Sequence, residues 1–455
     1  MDPVLSLIIP THNRRALLMR LLDALAADPG RPDPIEILIL ADNCHDDTVA
    51  AAQARVDLPL RVIELPGLGP AGARNRGAAE ARAPLLVFLD DDVIPEPGFL
   101  AAHLAAHQDT GTMADGAMVV GSYPSAPHAS PDYFQLLLRA WWREHFLELA
   151  RPGHRMRYTD VLTGNLSVPA AVWDRLGGLD AAFQQAHEDY ELGLRALTAG
   201  VPLVHARGAR GLHYEYLTKT PAAALRRARD EGRAGVAFWR KHPQMQADLR
   251  LYAMRPRGLA LRHRALCAAG PVLDAGAGIL ARLLPGFQRR GLRGAYISVF
   301  GLLNRYWYLR GASEVLERFS AWSDLPAEPQ RAPPLPLKLD LAQGLGVCEA
   351  RIEVERPLQL ALHHGDRQLT TTDLDPGAEP WRGHHLRPFL LRHCGAAWIE
   401  ARFAGATGTE DVDAREREAA TEGLARAAPH LNQSGAPWVW HEQYAQWARL
   451  LARLR

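Results

Sequence analysis

At 455 residues the chain is longer than one average domain, so we expect two or three domains. Its 52 basic and 51 acidic side chains nearly cancel, which excludes a nucleic-acid binder that depends on bulk charge, and we expect no nucleic-acid partner. The four cysteines lack metal-finger spacing and the start shows no signal-peptide pattern, so we expect a cytoplasmic chain with reduced thiols.

The first part of the sequence alternates short apolar runs with helical patterns. Strand-like runs occupy 4–9, 35–40, 60–65 and 85–89, and helical periodicity occupies 16–27, 48–55 and 71–81. This order predicts an α/β fold with a mostly parallel sheet flanked by helices. Ligands bind at the carboxyl ends of strands in such sheets. Polar residues follow three of these strands: Thr11, Asp42 and Asp90–Asp92.

The later part of the chain divides at a proline-rich linker, residues 326–336 (PAEPQRAPPLP). Before it, Thr220–Lys241 is predicted to be a basic helix, and 241–325 a helical extension. Its most apolar stretches, 266–284 and 292–309, are interrupted by charges and fall short of a membrane span. After the linker, strand-like segments at 337–341, 351–355, 359–363 and 398–403 precede helical patterns at 414–428 and 442–454. Residues 337–455 are therefore expected to form a smaller α/β or β-rich accessory module.

The triple aspartate of FLDDDV directly follows the fourth predicted strand. Carboxylates can hold a nucleoside diphosphate only through a divalent cation, and hard oxygen ligands suit Mg²⁺ or Mn²⁺. An acidic cluster at a strand end is also compatible with a solvated turn, so this motif alone leaves the function open.

A second acidic pair, Glu188-Asp189, opens a helical pattern in HEDYELGLRAL. Acidic residues in a first helical turn are often there for the helix dipole alone. A carboxylate that faces a sugar-binding cleft can instead take the proton of an acceptor hydroxyl. His213 is a potential metal ligand through its neutral imidazole, although a single histidine among 19 is weak evidence.

Seven blocks in a fixed order strengthen these interpretations: IIPTHNRRALL, ILADNCHDDT, GPAGARNRG, FLDDDVIPEPGFL, TGNLSVPAAVWDRLGGLDAAF, HEDYELGLRALTAG and GLHYEY. Together they resemble the family 2 glycosyltransferases, which have the GT-A fold. The resemblance covers about residues 4–240, and it implies that residues 1–240 form a nucleotide-sugar-binding catalytic domain. It departs from the family pattern at Ala41-Asp42, where the family commonly has two acids.

The resemblance also implies roles for individual positions. The positions that it assigns to the nucleotide-sugar donor are Pro10, Thr11, His12, Asp42, Arg74, Asp90, Asp91, Gly164 and Asn165. Asp90, Asp92 and His213 are the implied metal ligands for Mn²⁺ or Mg²⁺. Asp189 is the implied catalytic base and Glu188 its companion.

The implied reaction is an inverting transfer of a sugar from a UDP- or dTDP-linked donor to a hydroxyl of a glycan or a lipid-linked acceptor. Bacterial polysaccharide or glycoconjugate synthesis is the expected setting. Side chains in 122–159, including Trp141, Trp142 and His145, could stack on the acceptor or form core.

Three other functions remain alternatives. Gly67-x-Gly69-x-x-Gly72 after a strand matches the dinucleotide fingerprint of dehydrogenases. That reading leaves Glu188, Asp189 and His213 without a role. A sugar nucleotidyltransferase would need a glycine-rich loop after the first strand, which this sequence lacks. The third alternative is a non-catalytic nucleotide-sugar-binding module.

A peripheral contact with the inner face of a membrane is a further possibility. The arginines of Thr220–Lys241 are typical either of a solvated helix face or of phosphate contacts. The aromatic-rich segment Ala295–Gly311 favours helix packing, but an apolar surface there would suit a polyprenyl-linked acceptor. The paired histidines at 363–364 and 384–385 lack convincing ligand partners. The sequence does not specify an oligomeric state.

Overall fold

The computed structural model describes residues 2–109, 116–183, 186–253, 259–316, 334–394 and 398. Among these, one compact unit takes in the chain up to Ala150 and continues from Met156 through residue 316. The other unit comprises Arg151–Arg155 and the described residues from 334 onward.

The first unit begins with the alternation that the sequence predicts. The elements are β1 (Leu5–Thr11), α1 (Arg15–Ala27), β2 (Ile35–Asp42), α2 (Thr48–Gln53), β3 (Leu60–Leu65), α3 (Gly69–Glu80) and β4 (Leu85–Leu89). β1, β2 and β4 are almost continuously apolar and buried, because helices cover both faces of a parallel sheet.

The chain then continues with further strands and helices. They are β5 (Val93–Pro95), α4 (Phe99–Asp109), β6 (Met118–Ser122), α5 (Tyr133–Leu149), β7 (Asn165–Pro169), α6 (Ala170–Leu176), α7 (Glu188–Thr198), β8 (Leu203–His213), α8 (Glu215–Thr218) and α9 (Pro221–Lys241). The helical extension follows as α10 (Arg250–Ala253), α11 (Leu259–Ala281), α12 (Leu284–Arg289) and α13 (Arg293–Leu316).

These strands form one sheet in the order β3-β2-β1-β4-β7-β6-β8-β5. The four strands β3, β2, β1 and β4 are mutually parallel, as is the pair β6–β8. β7 is antiparallel to both of its neighbours, and β5 is antiparallel to β8. The predicted α/β fold with a large, mostly parallel sheet flanked by helices is confirmed, with these antiparallel strands as an addition that the sequence pattern did not indicate.

The second unit holds a smaller sheet in the order β11-β10-β9, from β9 (Leu337–Asp340), α14 (Leu345–Glu355), β10 (Leu360–His364) and β11 (Arg367–Thr371), and then α15 (Leu386–Phe389). β9 and β10 confirm two predicted strands. The predicted strand at 351–355 is wrong, because these residues complete α14. Buried Cys348 and Ile352 lie four positions apart, which is the spacing of one helix face.

Two predicted features lie wholly or mainly outside the described residues: the linker 326–336, of which 334–336 are described, and the elements after 397, of which only Trp398 is described. In the part of the chain that the structure describes, no helix is both long enough and apolar enough to cross a bilayer.

Candidate active site at the carboxyl edge of the sheet

The topology brings the polar strand ends together. β1 lies between β2 and β4, and all three run in the same direction. Thr11 pairs in register with Ala41, directly before Asp42, and β4 ends one residue before Asp90. The carboxyl ends of three adjacent strands therefore present their polar residues along one edge of the sheet, where ligands of parallel sheets bind.

The central aspartate of the triplet anchors this edge. Asp91 is buried, and its carboxylate accepts a hydrogen bond from Thr11 Oγ1 at 2.8 Å and one from Arg14 at 2.7 Å. Both carboxylate oxygens thus have protein donors, and both donors come from the end of β1 or the loop after it. Asp91 holds the first loop against the end of β4.

Asp92 lies beside His213. β5 pairs with β8 so that Val93 is opposite His213, which brings His213 Nε2 to 3.5 Å from Asp92 Oδ1. Thr218 Oγ1 donates to Asp92 Oδ2 at 2.8 Å. Burial alone would raise the pKa of Asp92, but His213 together with the cations Lys219 and Arg14 holds it well below its usual range. Asp92 is therefore a carboxylate at neutral pH.

Asp90 faces a different cation. Its Oδ1 is hydrogen-bonded to the buried guanidinium of Arg74, from α3. Gly164 lies against the same carboxylate, since a Cβ at this glycine would be 2.9 Å from Asp90 Oδ2 and 3.1 Å from Tyr123 Oη. A side chain at position 164 would displace the acid, so the absence of one leaves room for the Asp90 carboxylate.

Glu188 and Asp189 open α7 and also act electrostatically on Arg74. Burial opposes ionisation of Arg74, yet the carboxylates of Asp90, Glu188 and Asp189 hold its pKa above the usual value. Both acidic sites therefore act on one guanidinium. Glu188 is buried, and its Oε2 has no hydrogen-bond partner among the described residues.

Asp189 has the properties of a base that works near neutrality. Burial and the charge of Glu188 raise the pKa of Asp189 to about 7, against the opposing charges of Arg227 and Arg74. Its Oδ1 accepts the backbone N–H of Tyr190 at 2.9 Å. A pKa near the working pH maximises the use of a carboxylate as a proton acceptor.

Asp42 caps a loop instead of projecting freely. Its Oδ1 accepts the backbone N–H groups of Gly67 and Leu68 at 2.9 and 2.7 Å, and its Oδ2 accepts that of Gly69 at 2.8 Å. A carboxylate thus occupies the N-terminus of α3, where a dehydrogenase would place the pyrophosphate of its cofactor. This arrangement argues against the dinucleotide reading of Gly67-x-Gly69-x-x-Gly72.

The remaining predicted site residues, His12, Pro10 and Asn165, differ in their burial and in their hydrogen bonds. His12 is exposed, and its Nδ1 lies 2.6 Å from the backbone oxygen of Asp42, so it stands at the same edge; Pro10 is half-buried within β1. Asn165 is fully buried, with its amide bonded to Ala209 and its oxygen 2.8 Å from His103 Nε2. The side chain of Asn165 therefore braces the sheet, and Gly164 is the member of this pair at the site.

Three residues of the site were not assigned by the sequence: Arg14, Tyr123 and Thr218. Arg14 lies inside the motif IIPTHNRRALL, and its proximity to the acids depends on the turn after β1. Tyr123 is buried, and burial together with the charges of Asp90 and Asp189 raises its pKa well above the usual value, so it stays a neutral hydroxyl. Thr218 follows His213 by five residues and had no recognisable signal.

The arrangement fits a divalent cation only in part. Within the described residues, no three acidic, histidine or cysteine side chains converge into a complete metal site. Asp92 Oδ1 and His213 Nε2 do face each other, at 3.5 Å. Mg²⁺ and Mn²⁺ are commonly held by one or two protein ligands together with substrate phosphates. The donor set therefore suits a cation whose shell the ligand completes.

Aromatic side chains line the region beside His213. Trp142 packs edge-on against His213 at 5.0 Å between ring centroids and contacts Tyr123 at the same distance. Trp141 and His145 stack on each other at 5.4 Å. Trp142 therefore supports His213, which is a packing role that does not require an acceptor.

Comparison with known proteins shows what this chain is similar to. The family described as Glycosyl transferase family 2 matches residues 6–155. Validoxylamine A glucosyltransferase of Streptomyces hygroscopicus subsp. limoneus is 31% identical over 288 residues, which cover 56% of this chain and 60% of that protein. The O-antigen biosynthesis protein RfbC of Myxococcus xanthus is 27% identical over 235 residues, covering 47% of this chain and 17% of that protein.

Among solved structures, a mannosyltransferase from Pyrobaculum calidifontis, in complex with GDP-Man and Mn²⁺, is 18% identical with a TM-score of 0.41. That similarity covers 78% of this chain and 81% of the other. The score is too low to support an argument about function. This chain spans less than two thirds of the length of the validoxylamine transferases that it matches. Residues 6–155 are therefore similar to the family 2 glycosyltransferases, in agreement with the ordered motifs.

Proposed function

We propose that this protein transfers a sugar from a nucleoside diphosphate sugar to the hydroxyl of a glycan or lipid-linked acceptor, with inversion at the anomeric carbon. The observation that carries the proposal is the placement of two acidic sites around Arg74: Asp90 at the end of β4, and Glu188 with Asp189 at the start of α7. One site suits the donor and the other suits the acceptor.

The donor lies along the carboxyl edge of β1, β2 and β4 in this proposal. His12 and the loop capped by Asp42 flank the nucleoside, and we propose a UDP- or dTDP-linked donor. Asp90 and Arg74 lie nearer the ribose and phosphates. Asp92 and His213 hold Mn²⁺ or Mg²⁺, which when bound neutralises charge on the leaving diphosphate. Among the predicted ligands, Asp90 is paired with Arg74 through one oxygen, and Asp92 accepts a hydrogen bond from Thr218.

Asp189 is the proposed base. As the acceptor oxygen forms its bond to the anomeric carbon, the hydroxyl proton passes to the Asp189 carboxylate, and the bond to the diphosphate oxygen breaks on the opposite face. The departing diphosphate leaves with the electron pair of that bond. A single displacement of this kind converts an α-linked donor into a β-linked product. Glu188 raises the pKa of Asp189 by its charge and so keeps the base effective near neutral pH.

A non-catalytic binding module is the second candidate, since the curated relatives extend well beyond the matched region. It predicts nucleotide binding without turnover. The raised pKa of Asp189 favours catalysis over this reading, because a module that only binds has no use for a carboxylate kept partly protonated at neutral pH.

Calorimetry with UDP, dTDP, GDP and CDP, each with and without Mn²⁺, tests the donor site. We expect one uridine- or thymidine-type nucleotide to bind only with metal, and the binding to fall by at least about tenfold in Asp92→Ala, the loss typical of a metal contact. Asp174→Ala, which removes an exposed acid from α6, serves as the matched control and should bind as the wild type does.

Metal-independent binding, or equal losses in both variants, would contradict the metal site at Asp92. Binding of none of the four nucleotides would contradict the donor class. Binding without sugar transfer to any acceptor glycan would favour the non-catalytic module.

A further inference from the structure

The helical extension exposes apolar side chains that its own packing does not use. On α11 and just after it, the exposed residues are Val272, Leu273, Ile279, Leu280 and Leu283. Val272 is 74% exposed and Ile279 is 60% exposed, which is high for branched apolar residues. Leu292 and Leu302 are exposed in the segment that follows.

The spacing places these residues on one side of the helix. Val272 and Ile279 lie seven residues apart, as do Leu273 and Leu280, and Leu283 follows Leu280 by three, so these residues form a single stripe. The other side of α11 packs inward. Ala277 is buried, and Asp274 accepts a hydrogen bond from Tyr306 Oη of α13 at 2.5 Å. The stripe therefore faces away from α13.

The charged residues that follow Asp274 along the sequence are all of one sign up to residue 302. Between residues 275 and 302 the sequence has four arginines and no lysine, aspartate or glutamate. Arg282, Arg289 and Arg290 are exposed. Apolar side chains flanked by arginines in this way match a bilayer, where the first group enters the acyl boundary and the second meets anionic headgroups.

We propose that this surface, defined by Val272, Leu273, Ile279, Leu280 and Leu283 with Arg282, Arg289 and Arg290, binds the face of an anionic phospholipid bilayer. We call it the α11–α12 face. α11 lies along the bilayer, since no described helix is suited to crossing one. A second copy of the chain is a poorer partner, because pairing two identical faces brings two sets of arginines together without acids between them.

The basic helix singled out by the sequence is a weaker candidate for this contact. Arg229 and Arg233 of α9 both pair with Glu314 of α13, and Lys241 pairs with Asp180 at 2.5 Å. These charges are neutralised within the protein, so they attract anionic lipid less. The aromatic segment 295–311 is likewise used internally, with Tyr296, Phe300 and Tyr308 buried in helix packing.

Vesicle flotation of the full chain tests the proposal without reference to sugar transfer. The vesicles are phosphatidylcholine alone, or phosphatidylcholine with phosphatidylglycerol. We expect binding to the anionic vesicles, weakened by salt. Arg289→Gln with Arg290→Gln should lower the partition coefficient about fivefold for each charge removed. Ile279→Ser with Leu283→Ser should lower it at least about tenfold.

Matched controls keep the test specific. Arg175→Gln removes an exposed arginine on α6, and Val56→Ser removes a side chain that is 96% exposed after α2; both should bind vesicles as the wild type does. Unchanged unfolding temperatures would show that the variants fold.

The proposal is overturned by absence of binding to anionic vesicles, or by equal losses in test and control variants. It is also overturned if Ile279→Ser with Leu283→Ser dissociates a dimer in sedimentation velocity while vesicle binding persists.

Discussion

The proposed role of Asp189 as the base can be tested by the pH dependence of sugar transfer. Burial and Glu188 raise its pKa to about 7. Only the carboxylate form accepts a proton, so we expect kcat/KM for sugar transfer to increase with pH through a midpoint near 7 and then to level off. Rates measured from pH 5.5 to 9 at saturating metal check this. A kcat/KM that is constant across this range would show that the base has an ordinary carboxyl pKa.

The same carboxylate should lower the stability of the protein at neutral and higher pH. The folded-state pKa of Asp189 lies above the unfolded value of about 3.9. Its favourable contribution is therefore complete below about pH 4 and is lost as pH rises through about 7. We expect Asp189→Asn to abolish transfer but to raise the free energy of unfolding at pH 8 by on the order of 1–3 kcal/mol.

Urea unfolding at pH 8 and at the lowest pH where the fold persists measures this stability difference. The gain should shrink at the lower pH, since Asp189 is then protonated in both states. Asp174→Asn, at an exposed position, should change the free energy of unfolding little at either pH. A variant that loses stability at pH 8 would place Asp189 in a structural ion pair instead, and retained sugar transfer would remove it as the base.

At the residue scale, sequence patterns identified the acids better than their partners. Asp92 and His213 come from different motifs, and the resemblance implied that both act on one metal; the structure sets them 3.5 Å apart. Arg14 was missed, because its approach to Asp91 depends on a turn in which Asn13 has a φ of 52°. The resemblance assigned Asn165 to the donor site, but in the structure its side-chain amide donates a hydrogen bond to Ala209 within the sheet.

At the element scale, α9 and α13 pack with their backbones in close approach. A Cβ on Gly311 would lie 1.8 Å from the backbone oxygen of Arg229, and one on Gly232 would lie 2.0 Å from that of Tyr308. The opposing atoms are backbone, so they cannot move aside as a side chain would. We expect Gly311→Ala to lower the free energy of unfolding by about 2–4 kcal/mol, at the upper end for overpacking.

Gly294→Ala on the same helix is the control for Gly311→Ala. Position 294 has open space around a Cβ, and alanine favours a helix, so this change should be neutral or stabilise by up to about 1 kcal/mol. Chemical denaturation of the two variants and the wild type measures the difference. Similar effects at both positions would mean that the two helices separate easily and that the glycines do not determine their packing.

Periodicity predicted long and fully apolar elements well and short amphipathic ones less well. The strands β1 to β4 were identified within about two residues. For β1, β2 and β4 the reason is that buried parallel strands give nearly uninterrupted apolar runs, whereas β3 is half-buried and contains Arg61 and Glu64. The segment 351–355 was misread as a strand, since five residues satisfy the alternating pattern and the helical one equally. Only the preceding Leu345 and Cys348 extend the pattern to the helical spacing of α14.

At the scale of the whole molecule, separate cores underlie the two units. The larger unit contains the sheet core around β1, β2 and β4, while the smaller one has its own cluster that includes Leu339, Ile352 and Trp381. The side chains proposed to bind the donor and to remove the acceptor proton all belong to the larger unit. A unit with its own core can fold without its neighbour.

We therefore expect a fragment of residues 1–329 to retain metal-dependent nucleotide binding, with a Kd within about threefold of the full chain, a change of less than 1 kcal/mol. Calorimetry with the nucleotide that the full chain binds, in the presence of Mn²⁺, measures this. The matched control is the same fragment carrying Asp92→Ala, which should lose binding. A fragment that folds by circular dichroism yet fails to bind would assign part of the donor site to residues after 329. A fragment that does not fold would show that the larger core depends on the rest of the chain.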